Sequence, residues 1–221
     1  SPKQRFVGFE EDLSDISVPE VLPVLPLRGV VVFPSAIAPL LISRQSSLRA
    51  VEKALEGDRM LALIAQHNPE DEQPSVPGLY DRGTAGRVLK MLRYPDGSVR
   101  ILVQGLRRIE LTEFVQAEPY LEAKLRVLAD DAVAAEEIDA ARTHLIAQFS
   151  KLVAVSPHLP DELQMVVMNI EDAGKVTDLV ASNLNIQLGE KQELLELTDV
   201  KKRIERLGPI RARELELHEP G

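Results

Sequence analysis

The hydrophobic pattern of the chain changes its period at Asp130-Asp131. Before this point, apolar residues occur in short runs or alternate with polar ones, as they do in residues 121–127. A two-residue period is typical of a β-strand with one solvated face. After this point, apolar residues recur every three or four positions, as in amphipathic helices. The pattern therefore predicts an α+β chain in which a β-rich part precedes a helical part.

The charge also differs on the two sides of this point. Residues 1–127 carry 16 Lys and Arg against 17 Asp and Glu, and residues 128–221 carry 10 against 18. We predict a polar leader at residues 1–20, a β domain at 21–130 and a helical domain at 131–221. The net charge of −9 argues against general nucleic-acid binding, which depends on an excess of Lys and Arg.

The β part begins with residues 21–34, an apolar run interrupted by Pro and Gly that predicts short or edge strands. Residues 39–42 and 60–65 are predicted to be buried strands, and residues 67–79, rich in Pro, Glu and Asp, an exposed loop. The turn sequence at residues 95–98, Pro-Asp-Gly-Ser, predicts a hairpin. Together these elements predict a small, mostly antiparallel β-barrel or sandwich.

One helix is predicted within the β part. Leu48, Val51 and Leu55 lie on one helical face, and Gly57 is a stop signal. Ser46 and Ser47 are the candidate N-caps.

The helical part is predicted to form a bundle of four or five helices. Asp161 and Asp172 stand where N-caps belong, and Thr198-Asp199 is predicted to cap the last helix. Pro209 predicts a break or kink in that helix.

The search for catalytic and metal-binding motifs finds none. Gly174-Lys175 lacks the remaining residues of a phosphate-binding loop. Cysteine is absent and the four histidines are widely spaced, so no motif of a metal site occurs. Residues 83–86 have the Gly-x-x-Gly form of an RNA-clamping loop, although a turn at the start of a strand is the favoured interpretation. We therefore expect no catalytic, cofactor-binding or metal site.

Two groups of cations are candidate contacts for a partner. Arg44 and Arg49 stand at the polar, basic start of the predicted helix. They are either capping and solvated residues, which is favoured, or an exposed edge that contacts another protein. The second group complements the dipole at a helix C-terminus or contacts a partner, and the dipole is favoured. Its members are Lys201, Lys202, Arg203, Arg206, Arg211 and Arg213.

No apolar run approaches the roughly 20 residues of a membrane span, and residues 1–17 lack the apolar region of a secretory signal. The absence of cysteine fits a reducing compartment. The expected location is the cytoplasm.

Several stretches resemble one protein family. Residues 22–34 resemble the opening motif of Lon protease N-terminal domains, Pro-Leu-Arg-x-x-Val-x-Phe/Tyr-Pro, and residues 39–44 are similar to the next motif, Pro-Leu-x-Val-x-Arg. Residues 83–86, 95–97, 103–108 and 190–203 are also similar to the family. The matches occur in order over residues 22–207, which makes them more specific than any single one.

The resemblance implies a PUA-like β domain joined to a helical bundle. In that family, this region helps to engage unfolded or degron-bearing protein substrates and to assemble the ring, a homohexamer. It precedes an ATPase module, which uses ATP and Mg, and a Ser-Lys protease domain. The motifs of both modules are missing from this sequence, so the resemblance implies no catalytic residue or cofactor in this fragment.

The main alternative is a free-standing PUA-like nucleic-acid-binding protein. Arg87, Lys90, Arg93 and Arg100 would then line one hairpin. The acidic net charge and the aromatic content of 4% oppose it, because single-stranded nucleic acid is usually bound by base stacking on aromatic side chains. A hydrolase without recognisable motifs ranks last.

Overall fold

The computed structural model describes residues 5–6 and 13–218, with side chains at residue 13 and at 15–209. The chain divides into two compact units, Ser1–Ala129 and Asp130–Gly221. Much of the predicted leader, residues 1–4 and 7–12, lies outside the described residues. The rest belongs to the first unit, because strand β1 (Arg5–Phe6) pairs with a later strand and Leu13 is buried.

The first unit contains one sheet of seven strands in the order β1-β3-β6-β5-β4-β2-β7. β6 also pairs with β7, so strands β6, β5, β4, β2 and β7 close into a barrel. The β2–β4 pairing is parallel and the others are antiparallel, which confirms the mostly antiparallel barrel. The remaining strands are β2 (Val21–Leu27), β3 (Ala36–Ile42), β4 (Met60–Ala65), β5 (Arg82–Arg93), β6 (Val99–Gln116) and β7 (Glu122–Val127).

Helix α1 (Gln45–Glu56) packs on the barrel through Ala50, Val51 and Ala54. Its N-cap is Arg44, with extended backbone, so the prediction of Ser46 or Ser47 as cap is wrong. Ser47 is instead buried within the helix. The predicted stop is confirmed, because Gly57 is the C-cap and its N–H donates to the Ala54 carbonyl.

The predicted hairpin is confirmed, with Gly97 at a φ of 90° and the Tyr94 N–H donating to the Ser98 carbonyl. Strand β5 includes residues 83–86. The prediction of a turn there is wrong, because Gly83 is buried in the strand, where an added Cβ would collide with the Leu63 carbonyl. Close approach of β4, rather than turn geometry, therefore requires glycine at this position.

The second unit contains five helices in its described part, which confirms the predicted bundle. Phe149 and Leu152 lie in its core, together with Val176 and Leu179. The Asp172 carboxylate accepts hydrogen bonds from the N–H groups of residues 174 and 175, as its predicted capping role requires, whereas Asp161 makes no such bond. The helices are α2 (Ala135–Val155), α3 (Glu162–Met168), α4 (Ala173–Asn183), α5 (Leu188–Glu196) and α6 (Val200–His218).

Of the predicted break or kink at Pro209, the break is wrong, because α6 continues through this residue; a kink there stays a prediction. Proline removes one helical hydrogen bond, but nine helical residues flank it on each side.

The prediction that the second group of cations complements a helix C-terminus also needs correction. Lys201, Lys202 and Arg203 lie in the first turn of α6, where the dipole disfavours positive charge. The side chains of Arg211 and Arg213 lie outside the described residues.

Across the part of the chain that the structure describes, no helix is both long and apolar enough to cross a lipid bilayer.

Candidate functional site

The outward face of strands β3, β6 and β5 carries apolar side chains in contact with solvent. Leu41 pairs with Arg100, which in turn pairs with Leu92 across the sheet. Leu41 and Leu92 are 68% and 57% exposed. Since adjacent strands lie about 5 Å apart, the two leucines are about 10 Å apart, with the stem of Arg100 between them.

A second row lies beside the first on the same face. Here Pro39 pairs with Leu102, which pairs with Lys90. We call the two rows together the outer patch, and its members are Pro39, Leu41, Lys90, Leu92, Arg100 and Leu102. It combines four apolar side chains with two cations, a composition that suits contact with a partner rather than with solvent.

A groove of about 480 Å³ adjoins the outer patch and shares Pro39, Leu41 and Arg100 with it. Its other lining residues come from the end of β2, the segment after it, the end of β3 and the start of α1. Three of the lining side chains are arginines and none is Asp or Glu. The full lining is Pro26, Leu27, Arg28, Val30, Pro39, Leu40, Leu41, Ile42, Ser43, Arg44, Ser47 and Arg100.

Arg44 builds one wall of the groove. Its Nη2 donates to the Pro26 carbonyl (3.3 Å) and to Gln66 Oε1 (2.9 Å), and its Nη1 donates to the Glu72 carbonyl (3.2 Å). Gln66 is buried, and its Nε2 donates to the carbonyls of Asn68 and Asp71. The two side chains therefore hold loop 67–72 against the end of β2.

The charge of Arg44 lies in an unfavourable environment. Burial lowers the pKa of its guanidinium, and the nearby positive charge of Arg28 lowers it further, while Asp71 opposes both. Burial disfavours a charged group because it removes hydrating water. The groove thus places two cations close together without a carboxylate in its lining.

The structure does not bring the two predicted contact residues together in one site. Arg44 lines the groove, but its hydrogen bonds are made to its own chain. Arg49 is exposed on α1 and is not part of the groove lining. That these two residues contact a protein stays a prediction.

Sequence reasoning missed the leucines of the outer patch. Residues 39–42 were predicted to be buried throughout, whereas Leu40 and Ile42 are buried and Leu41 is exposed. The hairpin turn could have identified Leu92 as exposed. The turn sets the register that pairs Leu92 with Arg100, and residues paired across strands lie on the same face of the sheet.

The helical unit has an apolar surface of its own. Met165 and Met168, one turn apart on α3, are 71% and 65% exposed. Flexible methionine side chains adapt to irregular partners and are frequent on promiscuous binding surfaces. The described residues contain no group of His, Asp and Glu that could hold a metal ion.

The sequence also matches a family model, described as the ATP-dependent protease La (LON) substrate-binding domain, over residues 21–210. The chain belongs to this family. It is 40% identical to the Lon protease of Dictyoglomus thermophilum over 202 residues and 39% identical to that of Trichlorobacter lovleyi over 204. These alignments cover 91% and 92% of the chain but only 25% of each relative, so the chain spans about a quarter of their length.

Solved structures of Lon N-terminal domains share the fold. The N-terminal domain of Mycobacterium avium complex Lon protease superimposes with a TM-score of 0.72 over 87% of the chain and 98% of its own length, at 18% identity. The Lon N-terminal domain protein from Xanthomonas campestris gives 0.59 over 85% and 96%, at 19% identity. These neighbours confirm the α+β fold class with a helical part.

In this member of the Lon family, the two opening motifs that carry the resemblance meet in space. Residues 26–30 and 39–44 supply ten of the twelve residues that line the groove. The family assignment does not favour a free-standing nucleic-acid-binding protein. Of that alternative's four cations, Arg87 is half-buried and donates to Gln104 Oε1 (3.2 Å).

Proposed function

We propose that the outer patch and the groove bind exposed apolar segments of unfolded or degron-bearing protein substrates. One observation carries this proposal: an exposed apolar patch continues into a groove built by the two Lon-family motifs. Folded proteins bury most of their large apolar side chains, whereas unfolded chains present them. A surface that gains free energy by covering such side chains therefore favours the unfolded form.

The roles of the longer protein are part of the same proposal. The chain contributes substrate binding, and ATP hydrolysis with Mg and peptide cleavage belong to other parts of a Lon-type protease. Self-association into a homohexameric ring and a cytoplasmic location are proposed from the family resemblance.

An excess of this chain should inhibit degradation by an intact enzyme, because the two compete for substrate. Undiminished degradation at high excess would count against substrate binding.

The direct test uses fluorescence anisotropy with one labelled protein in its native and permanently unfolded forms. We expect selective binding of the unfolded form and a loss of about tenfold or more in affinity for Leu41→Ser/Leu92→Ser. Covering one leucine is worth about 1.5–3 kcal/mol, and a factor of ten corresponds to about 1.4 kcal/mol.

Two further variants identify the surface responsible. Val115→Ser removes another half-exposed apolar side chain of β6 and should leave binding unchanged. If Met165→Ser/Met168→Ser abolishes binding while the leucine variant does not, binding belongs to the helical unit and the proposed site is wrong. Equal binding of native and unfolded forms would contradict the function itself.

A further inference from the structure

We propose that the groove also selects its occupant by charge, accepting an Asp or Glu side chain of the bound segment between Arg28, Arg44 and Arg100. This inference rests on the proposed function and adds a preference to it. The preferred substrate segment would carry a carboxylate close to its apolar side chains, so that the groove takes the acid while the outer patch covers the apolar residues.

The hydrogen bonds of the three arginines differ in a way that suits an incoming anion. Among the described residues, the side chain of Arg100 has neither an ion pair nor a hydrogen bond. Arg28 is exposed and donates from Nε to the Pro69 carbonyl (2.8 Å). The guanidinium of Arg44 is held by two carbonyls and an amide oxygen, which are neutral acceptors. None of these hydrogen bonds neutralises a positive charge.

The charge balance of the groove supports the same conclusion. Its lining contains three guanidinium groups and no carboxylate, although the whole first unit holds nearly equal numbers of cations and anions. Arg28 is close enough to Arg44 to destabilise its charged form, and the nearby Asp71 offsets this only in part. An anion in the groove would relieve this repulsion, and arginine binds carboxylates in a two-pronged geometry.

The side chains that line the groove favour an acidic polypeptide over a nucleic acid. The groove lining contains no aromatic side chain on which a base could stack, and stacking is the usual means of binding single strands. Leu41 belongs to both the groove and the outer patch, so an anion between the arginines would lie beside an apolar surface. An extended chain with alternating acidic and apolar side chains fits this arrangement.

The test uses two labelled peptides that contain the same leucines and differ only by Glu or Gln at the positions between them. We expect the full chain to bind the Glu peptide about fivefold more tightly, the upper range for an ion pair at a surface. The preference should nearly vanish in about 1 M salt, because charges are then screened within roughly 3 Å.

Substitutions locate the preference. Arg100→Gln should reduce the preference for the Glu peptide to less than about twofold. Arg93→Gln is the matched control, because it removes the same charge from an exposed position of the same hairpin that does not line the groove. Arg28→Gln/Arg100→Gln should abolish the preference altogether.

The outcomes separate this inference from the proposed function. Equal binding of both peptides by the native chain overturns the charge preference and leaves apolar binding standing. A preference that survives in Arg28→Gln/Arg100→Gln, or that disappears in Arg93→Gln, overturns the assignment to this groove. If neither peptide binds while unfolded protein does, the inference fails alone, and if unfolded protein also fails to bind, both fail.

Discussion

At the scale of single residues, cross-strand register decides which charges meet. Glu110 on β6 lies opposite Arg82 on β5 and Arg126 on β7. Its Oε2 is 2.8 Å from Arg82 Nε, and its Oε1 pairs with Arg126. The hydrogen bond from Arg82 is the largest cause that lowers the pKa of Glu110 below 4.5, with a further contribution from Arg126 and an opposing one from burial.

This lowered pKa makes the barrel sensitive to acid. A carboxyl whose pKa is lower in the folded state stabilises the fold above its unfolded pKa and loses that contribution as the pH falls through the folded value. Glu110→Gln should therefore lower the free energy of unfolding by about 1 kcal/mol at neutral pH, with a difference that shrinks as the pH falls below about 4.5. Urea unfolding at several pH values measures this.

The control is Glu113→Gln on the same strand, because Glu113 is well exposed and pairs with Lys124 at 3.4 Å. We expect it to change stability by less than about 0.5 kcal/mol at every pH. A pH-independent deficit in Glu110→Gln would show that its carboxylate charge does not matter.

At the scale of elements, a buried ion pair joins α6 to α4. Arg203 is only 1% exposed, and its Nη1 donates to Asp178 Oδ1 on α4 (3.0 Å). Its Nη2 is 2.7 Å from Asp130 Oδ1. Gly174 leaves the space that Asp130 occupies, since an added Cβ there would collide with the carboxylate. Buried charges require such partners because they have lost hydration.

Arg203→Met should therefore destabilise the helical unit by about 3–5 kcal/mol, because the buried Asp178 carboxylate loses its cation. Arg206→Met is the matched control, since Arg206 is half exposed and pairs with Glu193 on α5. It should cost less than about 1 kcal/mol. Urea denaturation followed by circular dichroism compares the two, and similar small losses would contradict the structural role of Arg203.

At the scale of the whole molecule, the proposed site lies entirely within the first unit, Ser1–Ala129. A fragment of residues 1–129 should fold cooperatively and bind the unfolded protein with an affinity within about threefold of that of the full chain. Circular dichroism checks folding and anisotropy checks binding. A folded fragment that does not bind would move the site to the helical unit and its exposed methionines.

The sequence by itself determined the local features of this protein. The change of period at residue 130, the hairpin at residues 95–98 and the Asp172 cap all depend on residues a few positions apart, and all appear in the structure. The motif order also identified the family. Such signals survive in sequence because the backbone geometry that they reflect is set by near neighbours.

Only the tertiary structure decided which side chains face solvent and which charged side chains have hydrogen-bond or ion-pair partners. Leu41 is exposed because nothing in the described residues covers its face of the sheet, whereas Leu40 faces the core. Arg44 is tied to a loop some 28 residues away, and Arg203 to Asp178 and Asp130. Barrel closure through the pairing of β2 with β7 is equally non-local. Each depends on residues distant in sequence, which neither period nor propensity encodes.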